Sequence, residues 1–191
     1  MSTTKQIALV TGASSGIGRT SAIALIKAGW RVVLSGRRRE ELQVTEEMGR
    51  EVLRDLGREE EASDERLVLV VVGDVSVESN VREMFEQVQE VYGESGEASV
   101  VVLTNRVEIP RSPRPTIQRM PLFFLPLPPL TRPLQNAGIS GKSIPIEDLE
   151  IQDYLAVMNI NVTAAVICTQ YATRMMKAQE PQGGRIINNG R

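Results

Sequence analysis

The chain has 191 residues, 41% of them apolar and 24% charged, which suits one globular domain with a sizeable core. Its net charge of −2, from scattered lysines and arginines, lacks the basic footprint of a nucleic-acid binder, so no nucleic-acid partner is expected. Without histidine, and with Cys168 as the one cysteine, an intrachain disulfide is impossible and no metal site is expected.

Ile7 to Val10 is a continuous apolar run, fitting a strand buried on both faces of a parallel sheet. A glycine-rich turn follows, then a predicted helix from about Gly16 to Ala28, stopped by Gly29. Val32 to Leu34 is a second buried strand. The next helix, about Arg38 to Leu56, is expected to turn Leu42, Thr45, Met48, Val52 and Leu56 inward. Arg58 to Glu65 is expected to be a solvated acidic loop, and Leu67 to Val72 a third buried strand. Val77, Val81, Met84, Val88 and Val91 recur at helical spacing after it. Strand and helix alternating three times predict an α/β fold with a doubly wound parallel sheet.

The pattern breaks between about 95 and 134, where eight of the ten prolines lie between Pro110 and Pro133. Val100 to Leu103 could form a strand, but nothing periodic follows, and so long a structureless stretch is unusual inside a compact domain. The chain therefore reads as a single domain, 1–191, interrupted by an irregular proline-rich insert. The greasiest run, Met120 to Leu130, is short and broken by four prolines. Met1 to Gln6 is polar, with no signal-peptide core after it. No membrane association and a cytoplasmic location are the expectations. Order resumes at Asn136, with a helix near Glu147 to Met158 and a longer one near Asn159 to Ala178. Ile160, Ala164, Ile167, Tyr171 and Met175 are expected to face inward on the longer helix. Arg185 to Asn188 then begins as a strand.

The strongest motif is Thr11-Gly12-Ala13-Ser14-Ser15-Gly16-Ile17-Gly18, between an apolar strand and a helix. Gly12 permits a tight turn, Gly16 lets backbone approach a pyrophosphate, and Gly18 lets the helix pack near the strand. A helix N-terminus with free N–H groups then favours an anion. After the second strand stand Gly36 and Arg37-Arg38-Arg39, at the point where an acid binds the ribose of NAD or an arginine accommodates the 2′-phosphate of NADP. Arg37 and Arg38 without an acid favour NADP over NAD. Arg19 could add charge, and Glu40 and Glu41 fit compensation of a helix dipole.

Thr-Gly-x-x-x-Gly-Ile-Gly resembles the nucleotide-binding motif of the short-chain dehydrogenases/reductases, which have a Rossmann fold. Three further landmarks occur in that family's order. Asp74-Val75 resembles its adenine-contacting pair, Asn136-Ala137-Gly138 its motif after the fourth strand, and Asn161 its catalytic asparagine. Each also has a plainer reading: Asp74 as a cap before Ser76, Asn136 as a turn residue, Asn161 as an ordinary polar helix position. The resemblance implies sheet order 3-2-1-4-5, an NADP cofactor, a small alcohol or carbonyl substrate, hydride transfer, and homo-oligomers for the full-length family. It also implies a tyrosine as general acid/base, a lysine lowering its pKa at Tyr-x-x-x-Lys, and a serine polarising the carbonyl. These 191 residues hold no Tyr-x-x-x-Lys: Tyr92, Tyr154 and Tyr171 are followed at that spacing by Gly96, Met158 and Met175. Asn189-Gly190-Arg191 supplies no serine. The chain as written is therefore expected to be inactive. The alternative expectation is a non-catalytic nucleotide-binding fragment from a mis-spliced or truncated gene model.

Overall fold

A computed structural model describes residues 6–93, 141–142, 144–180 and 182–188. The three apolar runs form strands β1 (Ile7–Thr11), β2 (Arg31–Gly36) and β3 (Val68–Val72). They pair in parallel, β1 against β2 with Ile7 opposite Arg31, and β2 against β3 with Val32 opposite Val68. The sheet among the described residues is thus the 3-2-1 part of the expected order. Val100 to Leu103 lies outside the described residues.

Alternation along each strand divides the core into two layers, as the period of two requires. Ile7, Leu9, Val33 and Val71 face one side, where helix α4 (Glu78–Tyr92) and helix α6 (Ala164–Ala178) cover them. Ala8, Val10, Val32, Leu34 and Val68 face the other, under helix α1 (Gly16–Lys27) and helix α2 (Arg39–Asp55). Helices on both faces of a parallel sheet are the doubly wound α/β arrangement.

Two helices are rotated from the expected facing. On α2 the buried positions are Leu42, Thr45, Gly49 and Leu53, while Met48 and Leu56 are exposed. The cause is Gly49: a Cβ there would stand 2.4 Å from Cδ1 of Ile26 on α1, so the helices meet through a bare backbone. On α6 the buried residues are Ala164, Cys168, Ala172 and Met176, with Ile167, Tyr171 and Met175 at the edge of the core. Small side chains again mark the closest approach, and the larger ones flank it. On α4, Val81, Met84, Phe85, Val88 and Tyr92 are buried, whereas Val77 stands at the N-cap, exposed.

The acidic segment is not all loop. Glu59–Ala62 forms a short helix, α3, with Ala62 buried and Arg58 paired to Glu61 at 2.6 Å. A 3-10 turn, Ile146–Asp148, precedes helix α5 (Ile151–Met158), and a π-turn, Asn159–Thr163, joins α5 to α6. Taken together Ile151–Ala178 spans 28 residues and, by length and composition alone, could cross a bilayer, a feature that reading individual apolar runs overlooked. Its stripe of Cys168, Ala172 and Met176 is committed to the sheet and α4. Arg185 to Asn188 is not a strand. Among the described residues Ile186 packs against the core and Asn188 makes a single bridge.

Candidate functional site

Three loops leave the sheet at the C-terminal ends of β1, β2 and β3, the edge where open parallel sheets bind ligands. Backbone bonds continue the ladder beyond the strands and hold these loops side by side. Ala13 N–H donates to Ser35 O at 3.1 Å, and Gly73 N–H donates to Gly36 O at 3.0 Å.

In the first loop Gly12 and Gly16 have φ of 66° and 55°, the left-handed region that L side chains rarely adopt. The turn between them delivers the chain to α1, whose first turn holds no acidic residue and whose N-cap Ser15 makes no side-chain cap. By contrast α2 has Glu40 and Glu41 in its first turn, and α4 has Glu78. Ser15, Gly16 and Ile17 are exposed, while Gly18 is buried beneath them, where the helix closes on the strand. An uncapped, acid-free, accessible helix start is what an anionic ligand requires.

The second loop brings arginines to that turn. Arg38 donates from one Nη2 to Ser14 Oγ and Ser15 Oγ, each at 3.2 Å. Arg37 is 65% exposed along its side chain and reaches Asp74 of the third loop at 3.8 Å. Gly36 contributes no acid, and a Cβ there would meet only ordinary contacts at 3.4 Å or more.

Asp74 is held by its own loop. Its Oδ1 accepts from Ser76 N–H at 2.9 Å and from Ser76 Oγ at 2.7 Å, and its N–H donates to Asn80 Oδ1 at 3.0 Å. The turn-capping reading of Asp74 therefore describes its bonds, with Oδ2 left towards Arg37. Val75 packs against the α4 side of the core.

The structure thus gathers Gly12, Ser14, Ser15, Gly16, Ile17, Gly18, Arg37, Arg38 and Asp74 along one edge. Asn161 sits on another element, half-buried in the π-turn ahead of α6. Single π-turns recur at functional positions. Asn136, Ala137 and Gly138 lie outside the described residues. A depression of about 440 Å³, lined by Gln152, Leu155, Ala156, Met158, Asn159 and Thr163, shares no residue with the sheet edge.

Arg19 differs from its expected role. Its guanidinium donates to Ser14 O at 2.5 Å and pairs with Glu41 at 2.6 Å, so its charge is already matched. Glu41 is likewise engaged in that pair, beyond any service to the dipole of α2. Sequence reading missed this arrangement, although Thr45 was a signal: a hydroxyl on an apolar stripe must find a partner.

The comparisons with known proteins decide the family. A family model described as short chain dehydrogenase matches residues 6–107 and 129–190. The chain belongs to the short-chain dehydrogenase family. Among its relatives, a 3beta-hydroxysteroid dehydrogenase of Mediterraneibacter gnavus is 30% identical over 96% of this chain and 49% of its own length. An NADPH-dependent aldehyde reductase-like protein of Arabidopsis thaliana is 27% identical over 95% of this chain and 54% of its own. The crystal structure of an actinorhodin polyketide ketoreductase with NADPH superposes with a TM-score of 0.63 at 26% identity, covering 98% of this chain and 54% of the other. This short-chain dehydrogenase sequence spans about half the length of the curated relatives it matches. Family membership gives it a Rossmann-type nucleotide-binding fold.

Proposed function

We propose that the chain carries the adenosine-binding half of an NADP-dependent oxidoreductase that acts on a small alcohol or carbonyl compound. The observation that carries this reading is the pair Arg37 and Arg38 beside an acid-free glycine turn, with Gly36 at the position of an NAD-type acid. A phosphate dianion suits the planar fork of arginine, and two guanidiniums at a half-exposed edge suit it further. The relative named as an NADPH-dependent aldehyde reductase and the ketoreductase crystallised with NADPH support the same cofactor and a carbonyl substrate.

The residues present fit such a cofactor. The N–H groups opening α1 would take the pyrophosphate, Ser14 and Ser15 lie within reach of Arg38, and Asp74 would lie near the adenine, as the family motif implies. When bound, the nicotinamide supplies or accepts a hydride. Asn161 is the one member of the family's catalytic group that these 191 residues contain, and it would hold a water in the proton relay. Self-association and a cytoplasmic location belong to the same reading. The exposed apolar side chains Ile151, Tyr154, Leu155, Val162 and Val166 support self-association.

The test is binding of NADP and NAD to the full chain and to Arg37→Asp. The substitution removes a cation and adds an anion facing Asp74, so NADP affinity should fall at least about tenfold while NAD affinity holds. Equal loss for both would make Arg37 a structural residue and remove the basis for NADP preference.

A further inference from the structure

We propose that Arg19, Thr45 and Glu41 form a lock that orients the peptide groups of the glycine-rich turn, making them positioning residues for anion binding. This rests on the reading that the turn holds a nucleotide phosphate, but its geometry stands on its own. Two carbonyls of the turn are held from the α1–α2 side. Thr45 Oγ1, on a fully buried residue, lies 2.9 Å from Ala13 O. Arg19 Nη2 donates to Ser14 O at 2.5 Å.

The remaining bonds tie the three residues to one another. Thr45 Oγ1 also lies 2.9 Å from Glu41 O, and a hydroxyl has one proton to give. Arg19 Nη2, with two protons, already serves Ser14 O at 2.5 Å and Glu41 Oε2 at 2.6 Å, so its 3.2 Å approach to Glu41 O is at most a shared bond, and the lock assigns the Thr45 proton to Ala13 O. Arg19 Nε donates to Thr45 Oγ1 at 3.0 Å, using the hydroxyl's acceptor side. Glu41 Oε2 closes the set on Arg19 at 2.6 Å.

In a trans peptide C=O and N–H point in opposite directions. Holding Ala13 O and Ser14 O towards α2 therefore turns the N–H groups of Ser14 and Ser15 away from it. If either peptide flipped, a carbonyl oxygen would replace an N–H at the face where an anion is expected, exchanging attraction for repulsion. Because Glu41 neutralises Arg19, the lock acts by direction rather than by charge.

Two measurements on the full chain test this separately. Amide hydrogen exchange of residues 14–18 is followed in Thr45→Val, which keeps the shape and removes the hydroxyl, and in Thr45→Ser, which restores it. Binding of adenosine 2′,5′-bisphosphate, the adenosine half of NADP, is measured at low and high salt. The valine variant should exchange at least about tenfold faster in the turn, with Ile7 to Val10 unchanged, and should bind about tenfold more weakly at both salt levels. The serine variant should return both values to within about twofold of the parent. Unchanged exchange in the turn, or equal acceleration throughout β1, overturns the lock. A parent chain that binds no bisphosphate overturns the nucleotide reading, while the exchange measurement still decides the lock.

Discussion

At the scale of single residues, Cys168 shows how burial changes a side chain's chemistry. It is 1% exposed, sits among Ala172, Met176, Phe85 and Leu9, and burial pushes its thiol up to about 12. A thiolate is the nucleophilic form, so this thiol should be inert while the chain is folded. A small thiol reagent near neutral pH should modify it no faster than the chain unfolds, and rapid labelling would show that α6 opens locally. The raised value also sets a sign for stability. An unfolded thiol ionises near pH ~8.5, whereas the folded one keeps its proton until about 12, so between those values the unfolded chain holds fewer protons. Stability due to Cys168 is complete below pH ~8.5 and falls as pH rises, by at most about 1.4 kcal/mol per pH unit. Denaturant midpoints measured from pH ~8 upward, on the parent and on Cys168→Ala, should diverge in slope, the parent's being the steeper.

At the scale of elements, the seam between α1 and α2 depends on one missing side chain. Gly49 is buried against Ile26, and a Cβ would meet Cδ1 of Ile26 at 2.4 Å. Glycine within a helix costs about 1 kcal/mol relative to alanine, so its presence at the centre of α2 calls for such a contact. Gly49→Val should lower stability by about 1–3 kcal/mol through overpacking, and Ile26→Val in the same chain should recover part of the loss. A denaturation cycle over the four variants measures this; strict additivity would mean that the helices do not meet there. The same seam explains what was legible in the sequence. Strands β1 to β3 were readable because a strand buried on both faces is apolar throughout, and no choice of face has to be made. The face of α2 was not, because hydrophobic periodicity counts Met48 and Leu56 as core candidates and passes over Gly49, whose contribution is to let another backbone approach. The glycine turn and its neighbouring arginines were legible because their residue types are needed for backbone geometry and charge. The Arg19–Thr45–Glu41 bonds were not, since they join residues 26 positions apart whose partners depend on how α2 settles on α1.

At the scale of the whole molecule, the sheet edge and the α5–α6 helix pair carry different candidate residues. The loops after β1, β2 and β3 gather Gly12, Gly16, Arg37, Arg38 and Asp74 along one edge, whereas Asn161 stands in the π-turn ahead of α6. Proton exchange with a substrate oxygen needs a positioned acid, and a phenol near pKa 10 needs a cationic neighbour to work near neutral pH. Tyr154 and Tyr171 do not fill that role in these 191 residues: neither has a lysine at the fourth position, and Tyr171 is stacked on Phe85 at 5.7 Å under Arg174. Without general acid–base help, a factor of roughly 10²–10⁴ in rate is lost. The expected outcome is that this 191-residue chain consumes NADPH with a panel of aldehydes and ketones at the background rate, and that Asn161→Ala leaves that rate unchanged. Turnover that exceeds background and falls on Asn161→Ala would mean that a proton donor operates through Asn161 from a position these residues do not suggest. Binding of the adenosine probe together with background turnover would show recognition without chemistry in these 191 residues.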